Sequence, residues 1–363
     1  MAYGSINVGA MTPGSGATLT ISETVKFTGD LVPSTQLGNK NRLINGDFQV
    51  AQRGTSFVAS ANNDDTYNLD RWYLLSDGND IVDVTQSSTA PTNQLTSIGL
   101  DVETANKKFG IAQIIEANNC VGLIGNNVTF SFKAKVSDTS KLDNVKAAII
   151  SWSSTADAVT SDVVSAWAVE GTNPTLASNL TYENTPADLN LTTSWATYSV
   201  SANIDTSSTT NVVVFIWSDV TDTTAGHFLH ITDCQIEQGS TATPFERISY
   251  GDELAKCQRY YEVAGYALAG QANSSTAIWV AVPFKITKRE NPTIFLLQTT
   301  LTFAEWGLAT RISSGSTISA TTYYGIHGSY VQVSGFNSAH GMSGGDVLFC
   351  LVSGAVFSIK SEL

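Results

Sequence analysis

Between Asn41 and Arg247 the chain is a succession of short runs in which apolar and polar residues alternate, each closed by Gly, Asn, Asp or Pro. A period of two puts successive side chains on opposite faces of a strand, so the pattern predicts an all-β sandwich over residues 41–247. The runs fall at Asp47–Gln52, Asn68–Leu75, Ile81–Gln86, Gly110–Glu116 and Val128–Val136, then at Val145–Trp152, Val163–Val169, Ala196–Ala202, Val212–Trp217 and Gly226–Glu237. Roughly ten strands suit a jelly roll closed by two antiparallel sheets. Phe130, Phe132 and Ala134 against Ser131, Lys133 and Lys135 show the alternation most cleanly. After Gly239 and Pro244 the texture changes. Ser249–Tyr261 offers Ser249 or Asp252 as a cap, acids in the first turn, and Leu254, Cys257, Tyr260 and Tyr261 at helical spacing, which predicts a helical linker over 248–262. Residues 263–363 alternate again, at Ala277–Phe284, Thr293–Leu297, Thr321–Gly325, Tyr330–Val333 and Val347–Lys360, and predict a second β-rich C-terminal domain. The last run is apolar too continuously for a solvated face and belongs in a domain or trimer core.

Two stretches break the pattern. Residues 1–40 are rich in Gly, Ser and Thr and hold too few large apolar side chains to build a core, so they predict an extended segment that orders on a partner surface. Tyr3, Ile6, Val8 and Met11 are the side chains it can bury there. Val169–Ser194 carries Pro174, Pro186 and several asparagines, and predicts a long surface excursion able to carry binding contacts.

Only 14% of the 363 residues are charged and the net charge is -13. A nucleic-acid partner demands a basic stripe, which this balance excludes, and an anionic membrane surface is disfavoured for the same reason. No apolar stretch approaches the ~20 residues of a membrane-spanning helix and no basic-then-apolar leader opens the chain, so neither membrane insertion nor export is predicted. Cys120, Cys234, Cys257 and Cys350 are widely spaced. They predict free thiols rather than a zinc or redox motif.

The run Asp233, Gln235, Ile236, Glu237, Gly239, Ser240, Ala242, Thr243, Pro244, Phe245, Glu246, followed by Cys257, Gln258, Arg259, Tyr260 and Tyr261, resembles virion proteins of tailed bacteriophages. Asn41–Phe57, Leu69–Tyr73, Phe109–Val136 and Phe284–Leu297 extend the resemblance in the same order, and Thr24–Asn39 resembles the short repeats of trimeric phage fibres. The resemblance implies a jelly roll similar to carbohydrate-binding modules, a helix leading to a C-terminal β-domain, a homotrimer, and attachment to other virion proteins through the N-terminus. It implies a non-enzymatic tail fibre or tail-tip component, made in the host cytoplasm, that displays β-domains for host-surface polysaccharide. A head fibre or capsid decoration protein is the alternative. A polysaccharide-degrading tailspike would need a parallel β-helix, and no period of that kind runs through the chain.

In carbohydrate-binding modules sugar rings stack on Trp and Tyr. Trp72, Trp152, Trp167 and Trp217 lie in alternating runs and read as core, whereas Tyr182 and Trp195 flank the excursion and are the sugar-facing candidates. Asp47 and Asp233 match positions where related modules carry a structural calcium, and equally suit acids that cap strand ends. His227 and His230, three apart on a strand, point to opposite faces and cannot share a metal.

Overall fold

The computed structural model describes residues 38–265, 268–298, 300–305, 310–336, 342–351 and 354–363. Tyr3, Ile6, Val8 and Met11, with the rest of the anchor up to Leu37, lie outside the described residues. The strands in chain order are β1 (Ser56–Phe57), β2 (Thr66–Tyr67), β3 (Tyr73–Ser76), β4 (Val82–Ser87), β5 (Ser97–Val102), β6 (Phe109–Ile115) and β7 (Asn127–Val136). Then come β8 (Val145–Trp152), β9 (Val164–Ala166), β10 (Thr175–Leu176), β11 (Leu180–Tyr182), β12 (Ala196–Asn203), β13 (Asn211–Ser218) and β14 (Phe228–Gln238). One six-stranded sheet has the order β1-β4-β5-β14-β7-β12 and the other β11-β8-β13-β6-β3-β2, all neighbours antiparallel, so the fold is a jelly-roll β-sandwich. Between them Phe130, Phe132, Ile149, Val214, Ile216, Leu229 and Ile231 form the core, each contributing about 1.5–3 kcal/mol by leaving water.

Strand β14 holds the first sheet together, pairing with β5 and β7. Its register shifts between Thr232 and Gln235, and Asp233 sits there at φ 55°. This is a one-residue bulge, and it moves the inward set from Leu229 and Ile231 to Cys234 and Ile236. Gly46 passes so close that a Cβ there would lie 2.2 Å from the Cys234 carbonyl oxygen.

Four segments differ from the expected pattern. Asp47–Gln52 is not a strand, because the Asn45 side chain brackets it, donating to the Val50 carbonyl and accepting from the Val50 N–H at 2.9 Å each. Such local bonds compete with ladder pairing. Asn68–Arg71 is a turn ahead of β3, and β5 lies in a stretch with no predicted strand. The excursion lies on the surface as expected, yet part of it packs onto the sheet. Its Leu176, Ala177, Leu180 and Tyr182, with Val159, Val163 and Val164 from the stretch ahead of it, fold across the outer face of the second sheet and cover Phe215 and Trp217, which stack at 4.7 Å. Its first turn is fixed by Asp219, 1% exposed, which takes Lys108 Nζ at 2.7 Å, Lys146 Nζ at 2.8 Å and the Gly171 N–H at 2.9 Å.

Beyond the sandwich, Ser249 caps the nine-residue helix Tyr250–Gln258, and two single turns, Ala117–Cys120 and Thr139–Leu142, are also helical. The strands that follow are β15 (Tyr261–Ala264), β16 (Ala269–Ser274), β17 (Ala277–Pro283), β18 (Thr293–Leu296), β19 (Thr300–Glu305), β20 (Thr310–Gly325), β21 (Gly328–Phe336), β22 (Val347–Cys350) and β23 (Phe357–Lys360). Six of them close a barrel, β16-β17-β21-β20-β19-β22. The predicted single strand Val347–Lys360 is therefore two. β22 belongs to the barrel, and after Gly354, at φ 101°, β23 pairs with β15 and β18. Among the described residues no helix is long and apolar enough to cross a membrane.

A buried ionic joint ties the barrel side to the sandwich. Glu362 pairs with Arg71, 2% exposed, and with Arg53 at 2.8 Å, while the Arg71 guanidinium also stacks on Tyr260 at 3.8 Å. Glu116 accepts from Arg259 at 2.6 and 3.0 Å and from the Tyr260 hydroxyl at 2.6 Å. Burial alone would raise the Glu116 carboxyl, but the hydrogen bonds from Arg259 and Tyr260 outweigh it and hold it below the usual carboxylate range. At the other end Glu246 accepts the backbone N–H groups of Asn39, Lys40 and Asn41 at 2.5, 2.7 and 3.0 Å, clasping the chain where it enters the sandwich. Glu246 is positioned by Gln235, whose Oε1 accepts the Glu246 N–H at 2.8 Å.

Candidate functional site

The two outer faces of the sandwich have opposite fates. β13 is apolar on both sides, with Val212, Val214 and Ile216 inward and Val213, Phe215 and Trp217 outward, and the excursion covers the outward set. Tyr182 belongs to that cover. Its ring lies 6.3 Å from Trp217 and its hydroxyl donates to the Pro174 carbonyl at 2.9 Å, so the structure turns it inward. Trp72 and Trp217 are fully buried and Trp152 is 7% exposed, while Trp167 packs against Phe215 at 6.1 Å.

The outer face of the first sheet is polar and partly open. Register places Thr85 opposite Gly99, Gly99 opposite His230 and His230 opposite Lys135, and Trp195, just ahead of β12, stands beyond Lys135. The Lys135 ammonium lies 5.8 Å from the Trp195 ring centroid and the His230 ring 6.3 Å away. This row crosses four strands and reaches the start of the fifth. Gly99 is what lets His230 lie across β5, since a Cβ there would stand 3.0 Å from His230 Cε1 and 2.9 Å from Thr85 Oγ1. Phe228, half-buried, meets the His230 ring edge-on at 4.7 Å, and exposed Asp101 pairs with it across the ladder. Thr197 and Ser199 add exposed hydroxyls.

His230 itself is 7% exposed and contacts Ser97 Oγ at 3.3 Å through Nδ1. Burial, then the Lys135 charge, lowers its pKa to about 4, so the ring is neutral at pH 7 and offers one donor and one acceptor. The row thus combines an indole face, an ammonium, an imidazole and a hydroxyl, the functional set that stacks on and hydrogen-bonds a sugar ring. His227 lies ahead of β14 and contacts Ser137 Oγ at 3.2 Å.

Asp47 and Asp233 come together at the bulge. Asp233, 5% exposed, puts Oδ2 on Lys133 Nζ at 2.9 Å and leaves Oδ1 without a hydrogen-bond partner among the described residues. Asp47, 8% exposed, accepts from Gln49 Nε2 at 2.5 Å. Burial raises its pKa despite the Gln49 bonds, and the neighbouring Asp233 charge adds to the rise. Two buried carboxylates that repel each other, one with an unused oxygen, fit a hard cation such as calcium. Nothing in the sequence marked Gly99, His230 or Lys135 as neighbours of Trp195, because that row exists only across strands. The one signal was the shared polar parity of Lys133, Lys135 and His230.

No protein-family model matches the chain, and no curated protein does. Among solved structures, the enzymatically active domain of tailspike protein 4 of bacteriophage CBA120 is similar at 15% identity and a TM-score of 0.33, covering 55% of this chain and 21% of the tailspike. TmCBM61 in complex with β-1,4-galactotriose is similar at 13% identity and a TM-score of 0.30, with 55% of this chain and 100% of that one covered. The CBM22-1 xylan-binding domain of Paenibacillus barcinonensis Xyn10C gives 12% identity, a TM-score of 0.32, and coverage of 56% and 100%. Similarity at this level carries no argument about what this chain does.

Proposed function

We propose that this chain is a non-enzymatic structural protein of a tailed-phage particle, a tail fibre or tail-tip component whose sandwich holds host-surface polysaccharide. The observation that carries the glycan reading is the row Thr85, Gly99, His230, Lys135 and Trp195 on the open sheet face, with Trp195 half-buried and flanked by the Lys135 ammonium. The phage assignment is supported by the sequence run from Asp233 to Tyr261, whose residues build the bulge, the Glu246 clasp and the Glu116 joint. In this reading residues 1–40 dock on other virion proteins. Three copies assemble, covering the apolar side chains of Val347, Phe349 and Leu351, which are 54%, 39% and 55% exposed on and beside β22. Asp47 and Asp233 hold a structural calcium.

Trp195→Ala and Tyr182→Ala separate the two aromatic candidates. The Trp195 variant should retain host cells or their extracted polysaccharide at least about tenfold less tightly, or about 1.4 kcal/mol, with little change in stability. Tyr182→Ala should lose about 2 kcal/mol of stability, since a half-buried ring and one hydrogen bond go, and still bind. Wild-type affinity in the Trp195 variant, or no retention by the intact protein, refutes the reading.

A further inference from the structure

A cleft of about 550 Å³ opens between the sandwich and the end of β23 with the residues that follow it. Arg53, Asp65 and Ser161 line it from the sandwich, and Lys360 and Glu362 from the other side. The Arg53 side chain is only 10% exposed, lies 3.6 Å from the Tyr261 ring centroid, and gives Nη2 to Glu362 at 2.8 Å. Its Nη1 has no hydrogen-bond partner among the described residues. A buried donor without an acceptor is costly, so an arginine that lines the cleft is short of one acceptor. Lys360 is exposed at its rim, 5.5 Å from the Tyr67 ring.

The charges decide what kind of acceptor fits. Arg53, Lys360 and the Arg71 guanidinium behind Glu362 supply three cations, and Glu362, Asp65 and the Asp162 charge that reaches Asp65 supply three carboxylates, so an ion of either sign gains nothing overall. A hydroxyl both donates and accepts, and a ring bearing several can meet the guanidinium and ammonium with its oxygens and the carboxylates with its O–H groups. The location also suits a ligand, because clefts between packed domains are common binding sites. We propose that this cleft is a second saccharide site, separate from the Trp195 face, which binds a neutral, polyhydroxylated sugar between the sandwich and the C-terminal segment.

The full-length protein is titrated with cellohexaose, maltohexaose and chitohexaose, and with polygalacturonate as the anionic comparison, by calorimetry and by following chemical shifts. Two variants probe the cleft without dismantling the joint. Lys360→Ala removes an exposed side chain, and Asp65→Asn keeps a residue that tolerates the φ of 55° found there. At least one neutral hexasaccharide should bind wild type and Trp195→Ala alike, and lose tenfold or more in affinity in Asp65→Asn or Lys360→Ala, with unfolding temperatures in the absence of sugar unchanged. The proposal is overturned if all sugar binding disappears with Trp195 and survives both cleft variants, a pattern that leaves the sheet-face reading standing. It is also overturned if polygalacturonate outcompetes every neutral sugar in the cleft, or if no neutral hexasaccharide binds. The face reading is judged separately, on host-surface polysaccharide: if that too binds Trp195→Ala as tightly as wild type and is lost in the cleft variants, the cleft stands and the face reading falls.

Discussion

The neutral imidazole at the centre of the open face makes a pH prediction with a definite sign. His230 has an ordinary pKa of 6.5, lowered to about 4 in the fold, first by burial and then by the Lys135 ammonium opposite it. A group whose folded pKa is depressed in this way binds fewer protons folded than unfolded between those two values. Stability therefore rises with pH across that window, and acidification from pH 7 to pH 4 should remove it progressively. A shift of about 2.5 units at about 1.4 kcal/mol per unit corresponds to about 3 kcal/mol, which is large against a total of about 5–15. Other groups titrate nearby. Asp83, for example, is raised to about 6, chiefly by burial and by Glu103, and contributes with the opposite sign. The measurement is accordingly a difference: urea denaturation of wild type and His230→Gln at half-unit steps from pH 4 to 7.5. The variant keeps an amide that can reach Ser97 and cannot titrate. Its stability should fall less on acidification than wild type's, by about 3 kcal/mol over the window. Parallel curves for the two proteins would show that His230 is solvated or charged in the fold, and the argument from its burial against Gly99 would fail.

Two further perturbations test the joint and the bulge. Glu362→Gln leaves Arg71 buried without its carboxylate, and breaking a buried pair from one side should cost about 3–5 kcal/mol in urea denaturation; a loss below about 1 kcal/mol would mean that Arg71 finds another partner. Calcium should raise the unfolding temperature of wild type and a chelator should lower it, by an amount equivalent to about 2.7 kcal/mol at a hundredfold excess over Kd. Asp233→Asn should abolish that dependence, and a wild-type melting temperature indifferent to both reagents would leave Asp233 offset by Lys133 and Asp47 by Gln49, with no metal between them.

Where periodicity was clean, it placed the element. Phe130 to Lys135 is a strand with the predicted faces, and Val128–Val136 differs from β7 by one residue at its start. The parity change in β14, from Leu229 and Ile231 to Cys234 and Ile236, was visible in the sequence and is the trace of the bulge. Asp47–Gln52 misled because its alternation of Phe48 and Val50 is real and both side chains are buried, yet Asn45 supplies the backbone bonds that a neighbouring strand would otherwise provide. Val347–Lys360 misled because continuous apolarity conceals a change of sheet. The asparagines and prolines of the excursion describe its turns and say nothing of Leu176, Leu180 and Tyr182, whose burial depends on what they meet. Among the site residues, Tyr182 and Trp195 look alike in sequence. They differ only in which sheet they land on.

That difference was nonetheless written in the strands beneath them. The run Val212 to Trp217 on β13 has no polar residue, so both of its faces must be covered, and a chain with a long insertion nearby has the means to cover the second. The run Phe130 to Lys135 on β7 alternates strictly, so one of its faces meets water. An aromatic that falls over the first kind of strand completes a core, as Tyr182 does over Trp217. One that falls over the second kind, as Trp195 does beside Lys135, stays available to a ligand. The strand pattern under an aromatic is thus a better guide to its availability than the polarity of the loop that carries it. In this chain it selects the first sheet as the face left open, the one on which the proposed glycan would lie.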